Sequence, residues 1–323
     1  MSDTEAREDP LTGTLVLVAP HRRGLGPPAP AAPGLPEVPR ERCPFCPGRE
    51  SETEATLAQA PVDGPWAVRV VDNRYPLATP TSSLAGAAAL RGAHELVIET
   101  REHDLDLPDF SVAHAAMWLG VLAARVDVLA ARPGMATVMA FRNRGRRAGS
   151  SQPHAHSQVV ALDRVPSGVA HRDARARAHL EQTGRGLLDD ALRDELMDGR
   201  RIVRDAGGIV THCPYASQHP HELRLVPRAR AATLSALTPA ALEALAAALV
   251  DATRRLRAVG GGSDYNVLVH EPPVASRGAP WTGMYVELAP RTTTQAGLEL
   301  ASGATVLTLA PEDAARALRA AAP

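Results

Sequence analysis

His94-Glu95-Leu96-Val97-Ile98-Glu99-Thr100-Arg101 and His221-Glu222-Leu223-Arg224-Leu225-Val226-Pro227-Arg228 are the two stretches on which the fold turns. Both open on His-Glu-Leu, both end on Arg, and both carry the apolar residues of a strand. They lie 127 residues apart, and Arg164 and Arg291 keep the same offset. Each is preceded by a tyrosine-containing segment, 73–80 or 214–220, that does not keep it, which places an insertion there. Each is followed by a long Ala/Leu-rich helix candidate, residues 111–132 and 238–259, with apolar positions at helical spacing. Thr238 stands where an N-cap belongs and Pro239 at the first helical position. Two strand candidates then follow in each copy, 136–143 with 156–162 and 265–271 with 284–290. Strand, helix, strand, strand, twice over, predicts an α+β fold of two similar halves packed around a shared sheet.

Residues 167–206, rich in Arg, Asp, Glu and Ala, read as a connecting helical segment between a first half (1–166) and a second (207–323). Residues 21–42 are Pro- and Gly-rich and read as a loop, and 311–321 as a final helix. The 323 residues are 45% hydrophobic and 22% charged, with net charge -1, the profile of a folded globular chain. That balance gives no support for nucleic-acid binding. No run approaches the ~18 unbroken apolar residues of a membrane span. The acidic start MSDTEAREDP lacks the apolar core of a secretory signal, so a cytoplasmic protein is expected. All 35 basic residues are arginine. A GC-rich genome explains this, yet it also means that any cationic contact to phosphate comes from a guanidinium and that no lysine can be catalytic.

The chemistry concentrates in Ser150-Ser151-Gln152-Pro153-His154-Ala155-His156-Ser157-Gln158, running into the strand VVAL. Alternate strand residues share a face, so His154, His156 and Gln158 are expected on one side. An imidazole there can attack phosphorus while a neighbouring amide holds a non-bridging oxygen. A polar edge strand with two solvated histidines is the alternative. The repeat favours chemistry, because at the 127-residue offset the three positions become Trp281, Gly283 and Tyr285.

Cys43-Pro44-Phe45-Cys46-Pro47-Gly48 forms a second constellation. One C-x-x-C is half of a tetrahedral zinc site. Cys213 is the only other cysteine, so a four-cysteine site is impossible and histidines from elsewhere must complete it. A redox pair fits less well in Pro-rich surroundings with no following helix. Arg22 and Arg23 after the strand candidate TLVLVAP, and Asn143 to Arg147 in the Gly/Ser-rich turn before the histidines, form a weaker set that could cradle phosphate. His212, Cys213, His219 and His221 read as a solvated loop rather than a metal site.

Together these motifs resemble the galactose-1-phosphate uridylyltransferase family, a branch of the histidine-triad superfamily. The resemblance runs in order through 9–22, 43–48, 70–77, 92–107, 141–145, 150–158, 264–273 and 287–300. It implies two histidine-triad-like halves, each an antiparallel sheet with packed helices, the first catalytic and the second without catalytic histidines. It implies a ping-pong reaction in which His156 attacks the α-phosphorus of UDP-glucose, with Gln158 on the phosphoryl oxygens, before UMP passes to galactose 1-phosphate. It implies a structural zinc ion held by Cys43, Cys46, His103 and His154, with His94 close enough to compete for the place of His103. By the same resemblance Asn73 and Asn143 contact the nucleotide, Ser151 the phosphates, Arg22 a phosphate and Glu299 the hexose. A homodimer is carried over as well.

The departures matter equally. The motif reads H-A-H, and H-x-H-S-Q also occurs in a related branch of ADP-glucose phosphorylases. Leu25 stands where the family has a second phosphate arginine, with Arg23 as a substitute; Thr293 and Leu298 replace a lysine and a tyrosine of the hexose loop. WTGMYVE (281–287) replaces an H-x-H that holds a second metal in some members, so none is expected there. The leading expectation is UMP transfer between UDP-glucose and a hexose 1-phosphate. The alternatives are a nucleoside diphosphate-sugar phosphorylase using inorganic phosphate, and a degenerate paralogue that only binds nucleotides.

Overall fold

The structure is a computed structural model that describes residues 3–24, 38–81, 84, 86, 89–260 and 264–321. Leu25 and most of the Pro-rich loop fall outside the described residues. The first half runs β1 (Glu5–Glu8), β2 (Leu15–Val18), β3 (Thr56–Ala60), β4 (Val68–Asp72), β5 (Gly92–Ile98), α1 (Val112–Ala130), β6 (Thr137–Arg144) and β7 (His156–Leu162). Next come α2 (Ser167–Thr183), α3 (Leu187–Asp198), β8 (Ile202–Ala206) and β9 (Ile209–His212). β10 (Leu223–Pro227), α4 (Pro239–Ala258), β11 (Tyr265–His270), β12 (Tyr285–Pro290), α5 (Gly297–Ser302), β13 (Thr305–Leu307) and α6 (Pro311–Ala320) complete the chain.

Strand, helix, strand, strand does recur, and the fold is α+β. The two copies share one ten-stranded sheet, ordered β3-β4-β5-β7-β6-β11-β12-β10-β9-β8, in which every neighbouring pair is antiparallel. The seam is β6 against β11, so neither half has to expose an open sheet edge to water there. β1, β2 and β13 form a small separate sheet. The segment 167–206 is two helices, ended by Gly184 and Gly199 in left-handed conformation, and then β8, an edge strand of the main sheet.

α1 and α4 lie on one face of the sheet and against each other. Ser111 caps α1 and Thr238 caps α4, each hydroxyl accepting from a first-turn amide. α1 is long and apolar enough to cross a membrane by composition. Here it is a core helix, with Trp118, Leu119, Leu122 and Leu129 buried against the sheet.

The His-Glu-Leu match proves to be out of step with the sheet. β5 turns Glu95 towards α1, where Nε and Nη2 of Arg125 each donate to it at 2.7 Å, and sends Val97 into the core. β10 sends Leu223 and Leu225 into that core, leaving Glu222 and Arg224 on the opposite side beside Asp9. A strand has period two, so a match displaced by one residue exchanges the faces. His221, with φ 61°, is not in the strand at all. β12 does keep the expected side: Val286 and Leu288 enter the core and Tyr285 lies opposite.

That opposite face differs between the halves. In the second half α2 and α3 cover it, burying Leu187, Leu192, Val210, Val226 and Tyr285 together. Leu188 lies so close to Gly283 that an added Cβ would approach its Cδ2 to 2.8 Å. His212 and Cys213 are buried in this half, not in a solvated loop. In the first half no α-helix among the described residues covers the corresponding face, and a cavity opens there.

Candidate active site

The cavity has a volume of about 540 Å³ and is lined by Phe45, Asn73, Leu96, Ser151, His156 and Gln158 among others. β7 starts at His156, so the histidine and Gln158 stand two apart on the same side of one strand. Ser157 between them points the other way, towards α1, where Trp118 Nε1 donates to its hydroxyl at 2.9 Å. β7 is central, paired with β5 on one side and β6 on the other, which fixes both side chains on a rigid element.

His156 is 6% exposed, and its Nδ1–H donates to the carbonyl of His154 at 2.9 Å. That bond leaves Nε2 with its lone pair. Burial pushes the imidazole down to about 4 against the raising effect of the hydrogen bond to the His154 carbonyl, and the charge of Arg142 adds to the lowering. The ring is therefore neutral near pH 7, the state a nucleophile requires. Phe45 packs on it with ring centres 5.4 Å apart. Gln158 Oε1 meets His94 Nε2 at 2.8 Å.

His154 departs from the expected pattern. It precedes β7 and joins the Cys43–Cys46 knuckle instead of the cavity. Its Nδ1 lies 3.5 Å from Cys43 Sγ and 3.6 Å from Cys46 Sγ, and His103 Nδ1 lies 3.3 Å from Cys46 Sγ. All four ligand atoms fall within 4.8 Å of one another. A tetrahedral zinc ion with Zn–S of about 2.3 Å and Zn–N of about 2.05 Å spaces its sulfur and nitrogen ligands about 3.6 Å apart. The donor set therefore has the dimensions of a zinc site. His154 Nε2–H donates to the Thr100 carbonyl at 2.8 Å, which leaves Nδ1 free to ligate. Burial first, and Cys43 second, push the Cys46 thiol up to about 12. A bound cation would offset that penalty and hold Cys46 as the thiolate. His103 rather than His94 stands at the thiols; His94 lies behind Gln158, hydrogen-bonded to its amide oxygen.

Behind the strand lies a buried polar network that the sequence did not reveal. Arg142 donates through Nε to both oxygens of Glu99, at 3.0 and 2.8 Å, and through Nη1 to Tyr265 Oη at 3.1 Å. Its Nη2 reaches Asp106, and Ser157 donates to Glu99. Burial works to raise Asp106, but Arg142 and Arg144 outweigh it and hold the carboxyl at about 2.

The remaining expected residues divide. Asn73 and Ser151 line the cavity. Asn143 is on β6, its Oδ1 accepting from Asn266 Nδ2 at 2.8 Å. Arg22 and Glu299 are not among the cavity's lining residues; the charge of Arg22 is felt by Glu299, whose carboxylate accepts from the Ala296 amide at the start of α5. Phe45 was missed as a cavity residue and His94 as the partner of Gln158, although both lie inside motifs already singled out. The fold brings Phe45 onto the His156 ring, and the pairing of β5 with β7 sets His94 beside Gln158.

A family model for the N-terminal domain of galactose-1-phosphate uridyl transferases matches residues 1–166. The chain belongs to this family. It is an enzyme, a nucleotidyltransferase of sugar metabolism. Among its relatives, the ADP-glucose phosphorylase of Arabidopsis thaliana is 26% identical over 330 residues, spanning 98% of this chain and 92% of that protein. The galactose-1-phosphate uridylyltransferase of Streptomyces lividans is 28% identical over 84% of this chain and 71% of its own length. The crystal structure of the Arabidopsis ADP-glucose phosphorylase with bound ADP-glucose superposes with a TM-score of 0.86 at 25% identity, covering 98% of this chain and 99% of that one.

Proposed function

We propose that the protein is a nucleoside diphosphate-sugar phosphorylase, acting on ADP-glucose or a close analogue through a nucleotidyl-His156 intermediate. The observation that carries the reading is a neutral imidazole, its Nδ1 tied to the His154 carbonyl, standing beside Gln158 in an open cavity. In the first step His156 Nε2 bonds to the α-phosphorus. The bond from phosphorus to the bridging oxygen breaks, and its electron pair leaves with the sugar 1-phosphate. Gln158 is assigned to a non-bridging oxygen, and the His154 carbonyl steadies the positive charge that develops on the substituted imidazole. In the second step a phosphate oxygen attacks the same phosphorus and the P–N bond breaks. A nucleoside diphosphate leaves and His156 returns neutral.

Phosphate as acceptor is supported by the near full-length similarity to the ADP-glucose phosphorylase in both directions. The H-A-H-S-Q form and the lost lysine and tyrosine of the hexose loop, at Thr293 and Leu298, point the same way. Uridylyl transfer to a hexose 1-phosphate is the second reading, favoured by the similarity to the Streptomyces transferase. We assign Cys43, Cys46, His103 and His154 to a zinc ion that anchors the start of β7 and, with four protein ligands, leaves no position for substrate. Asn73 and Ser151 are assigned to the nucleotide and its phosphates.

Intact-protein mass spectrometry after incubation with ADP-glucose or UDP-glucose tests the reading. An adenylyl adduct that inorganic phosphate discharges as ADP is the expected result. A uridylyl adduct discharged only by galactose 1-phosphate overturns it in favour of the second reading. No adduct with either donor leaves a nucleotide-binding paralogue, and an adduct that survives His156→Ala removes the nucleophile.

A further inference from the structure

His94 lies in β5, 4% exposed, and takes no part in the steps above. Its hydrogen bonds are nonetheless determined from one end to the other. The backbone N–H of Leu77 donates to Nδ1 at 3.2 Å, so Nδ1 carries the lone pair and Nε2 carries the hydrogen. The Tyr75 amide donates to Asn73 Oδ1 at 2.9 Å, which turns the Asn73 amino group towards the same ring, 3.3 Å from Nδ1. That amino group also approaches Nε2 at 3.1 Å, but a protonated ring nitrogen offers it no acceptor. Among the described residues the hydrogen on Nε2 has one acceptor at bonding distance, Gln158 Oε1 at 2.8 Å. Burial lowers the pKa of His94, in keeping with a neutral ring.

We infer that His94 is a positioning residue that sets which way round the Gln158 amide stands. A free glutamine amide in the cavity can present its oxygen or its amino group to a phosphoryl oxygen, and only the amino group attracts it. With His94 Nε2–H held on Oε1, the amino group is directed into the cavity beside His156. The chain of control starts at two backbone amides, Tyr75 and Leu77, in the turn after β4, and ends on the group assigned to the developing phosphoryl charge. This inference rests on the proposed nucleotidyl transfer at His156.

The test is a mutant cycle read in kcat and KM, with adduct formation followed by mass spectrometry. His94→Leu removes the donor and is expected to lower kcat roughly tenfold or more while KM changes little. The loss stays below the ~10²–10³-fold of deleting a transition-state donor outright. His94→Gln keeps an N–H donor near the Nε2 position and is expected to return kcat to within a few-fold of the unmodified protein. In a Gln158→Ala background, His94→Leu is expected to cost nothing more, because its effect travels through the amide it orients. Equal losses in both backgrounds, a change confined to KM, or a glutamine variant as slow as the leucine variant overturns the inference while leaving the His156 reading intact. If the leucine variant does not fold, His94→Phe, which also lacks the donor but keeps the ring's bulk, takes its place in the same cycle with the same expected outcomes. An unmodified protein that forms no adduct overturns both readings.

Discussion

Replacing Arg142 by methionine examines the ground on which His156 stands. Arg142 is 1% exposed and Glu99 is fully buried, and the guanidinium supplies Glu99 with two hydrogen bonds and, among the described residues, its directly bonded cation. In Arg142→Met the Ser157 hydroxyl remains as a donor to Glu99, and Tyr265 Oη and Asp106 each lose a partner. Breaking a buried pair by removing one member costs about 3–5 kcal/mol, since the survivor keeps its desolvation without its counter-charge. For a chain of this size that corresponds to a fall in melting temperature of roughly 4–7 °C. The double variant Glu99→Gln/Arg142→Met removes the stranded charge and is expected to recover at least half of the loss. The pH dependence has a defined sign. Burial already raises Glu99, and without Arg142 it is raised further, so the folded state holds a proton where the unfolded chain has lost it. The deficit of Arg142→Met therefore shrinks as the pH falls from 7.5 towards 5.5. Thermal and urea unfolding followed by circular dichroism measure all three quantities. A single variant within about 1 kcal/mol of the unmodified protein, or a double variant no more stable than the single one, refutes the reasoning.

Other outcomes follow from the same geometry. Elemental analysis is expected to give about one zinc per chain, and Cys43→Ser or exhaustive chelation to lower the melting temperature and slow adduct formation together; a fully active metal-free protein contradicts the site. Because His156 is pushed down to about 4, it stays neutral through the range where an ordinary histidine takes up a proton. The rate of adduct formation should show no loss with an apparent pKa near 6.5, and such a loss assigned to His156 in a titration would refute the burial argument. The same shift means that the unfolded chain binds the proton first, so this group's contribution to stability declines as pH drops from about 6.5 to about 4. Asn266→Ala strands Asn143 Oδ1 and the Ala148 carbonyl, and about 1–3 kcal/mol of stability should go with them in urea unfolding.

What could be read from the sequence follows from the range of the interactions. His156 and Gln158 were legible because a strand's alternation is local: two residues apart is one face, whatever the rest of the chain does. The knuckle was legible in half. Cys43 and Cys46 are three residues apart, whereas His103 and His154 reach them only after β5 and β7 pair, and no spacing distinguishes His103 from His94. The repeat gave the right order of elements and the wrong register at β5 and β10, since three matching letters cannot compete with the faces that α1 and α4 impose. The Glu99–Arg142–Tyr265 network was invisible, because it joins three elements across 166 residues of chain, 99 to 265. Arg22 and Glu299 were assigned by resemblance alone, and neither is among the residues that line the cavity.

The second half lacks the histidines, yet it cannot be spectator mass. The turn between β6 and β7 delivers His154 to the knuckle and His156 to the cavity, so its shape decides whether both arrive. Three contacts to that turn and its approach come from the other half. Asp264 Oδ2 accepts from the Arg147 amide at 2.7 Å, and Asn266 Nδ2 reaches the Ala148 carbonyl at 2.9 Å and Asn143 Oδ1 at 2.8 Å. Tyr265, between them, meets Arg142 on the opposite side of the strand. One short run of β11 thus supports the turn with its outer residues and the buried ion pair with its inner one, across the antiparallel seam. The second half thus serves the site through its strand and not through catalytic histidines of its own. Its corresponding face is closed under α2 and α3, with Gly283 leaving room for Leu188 where the first half keeps an open cavity.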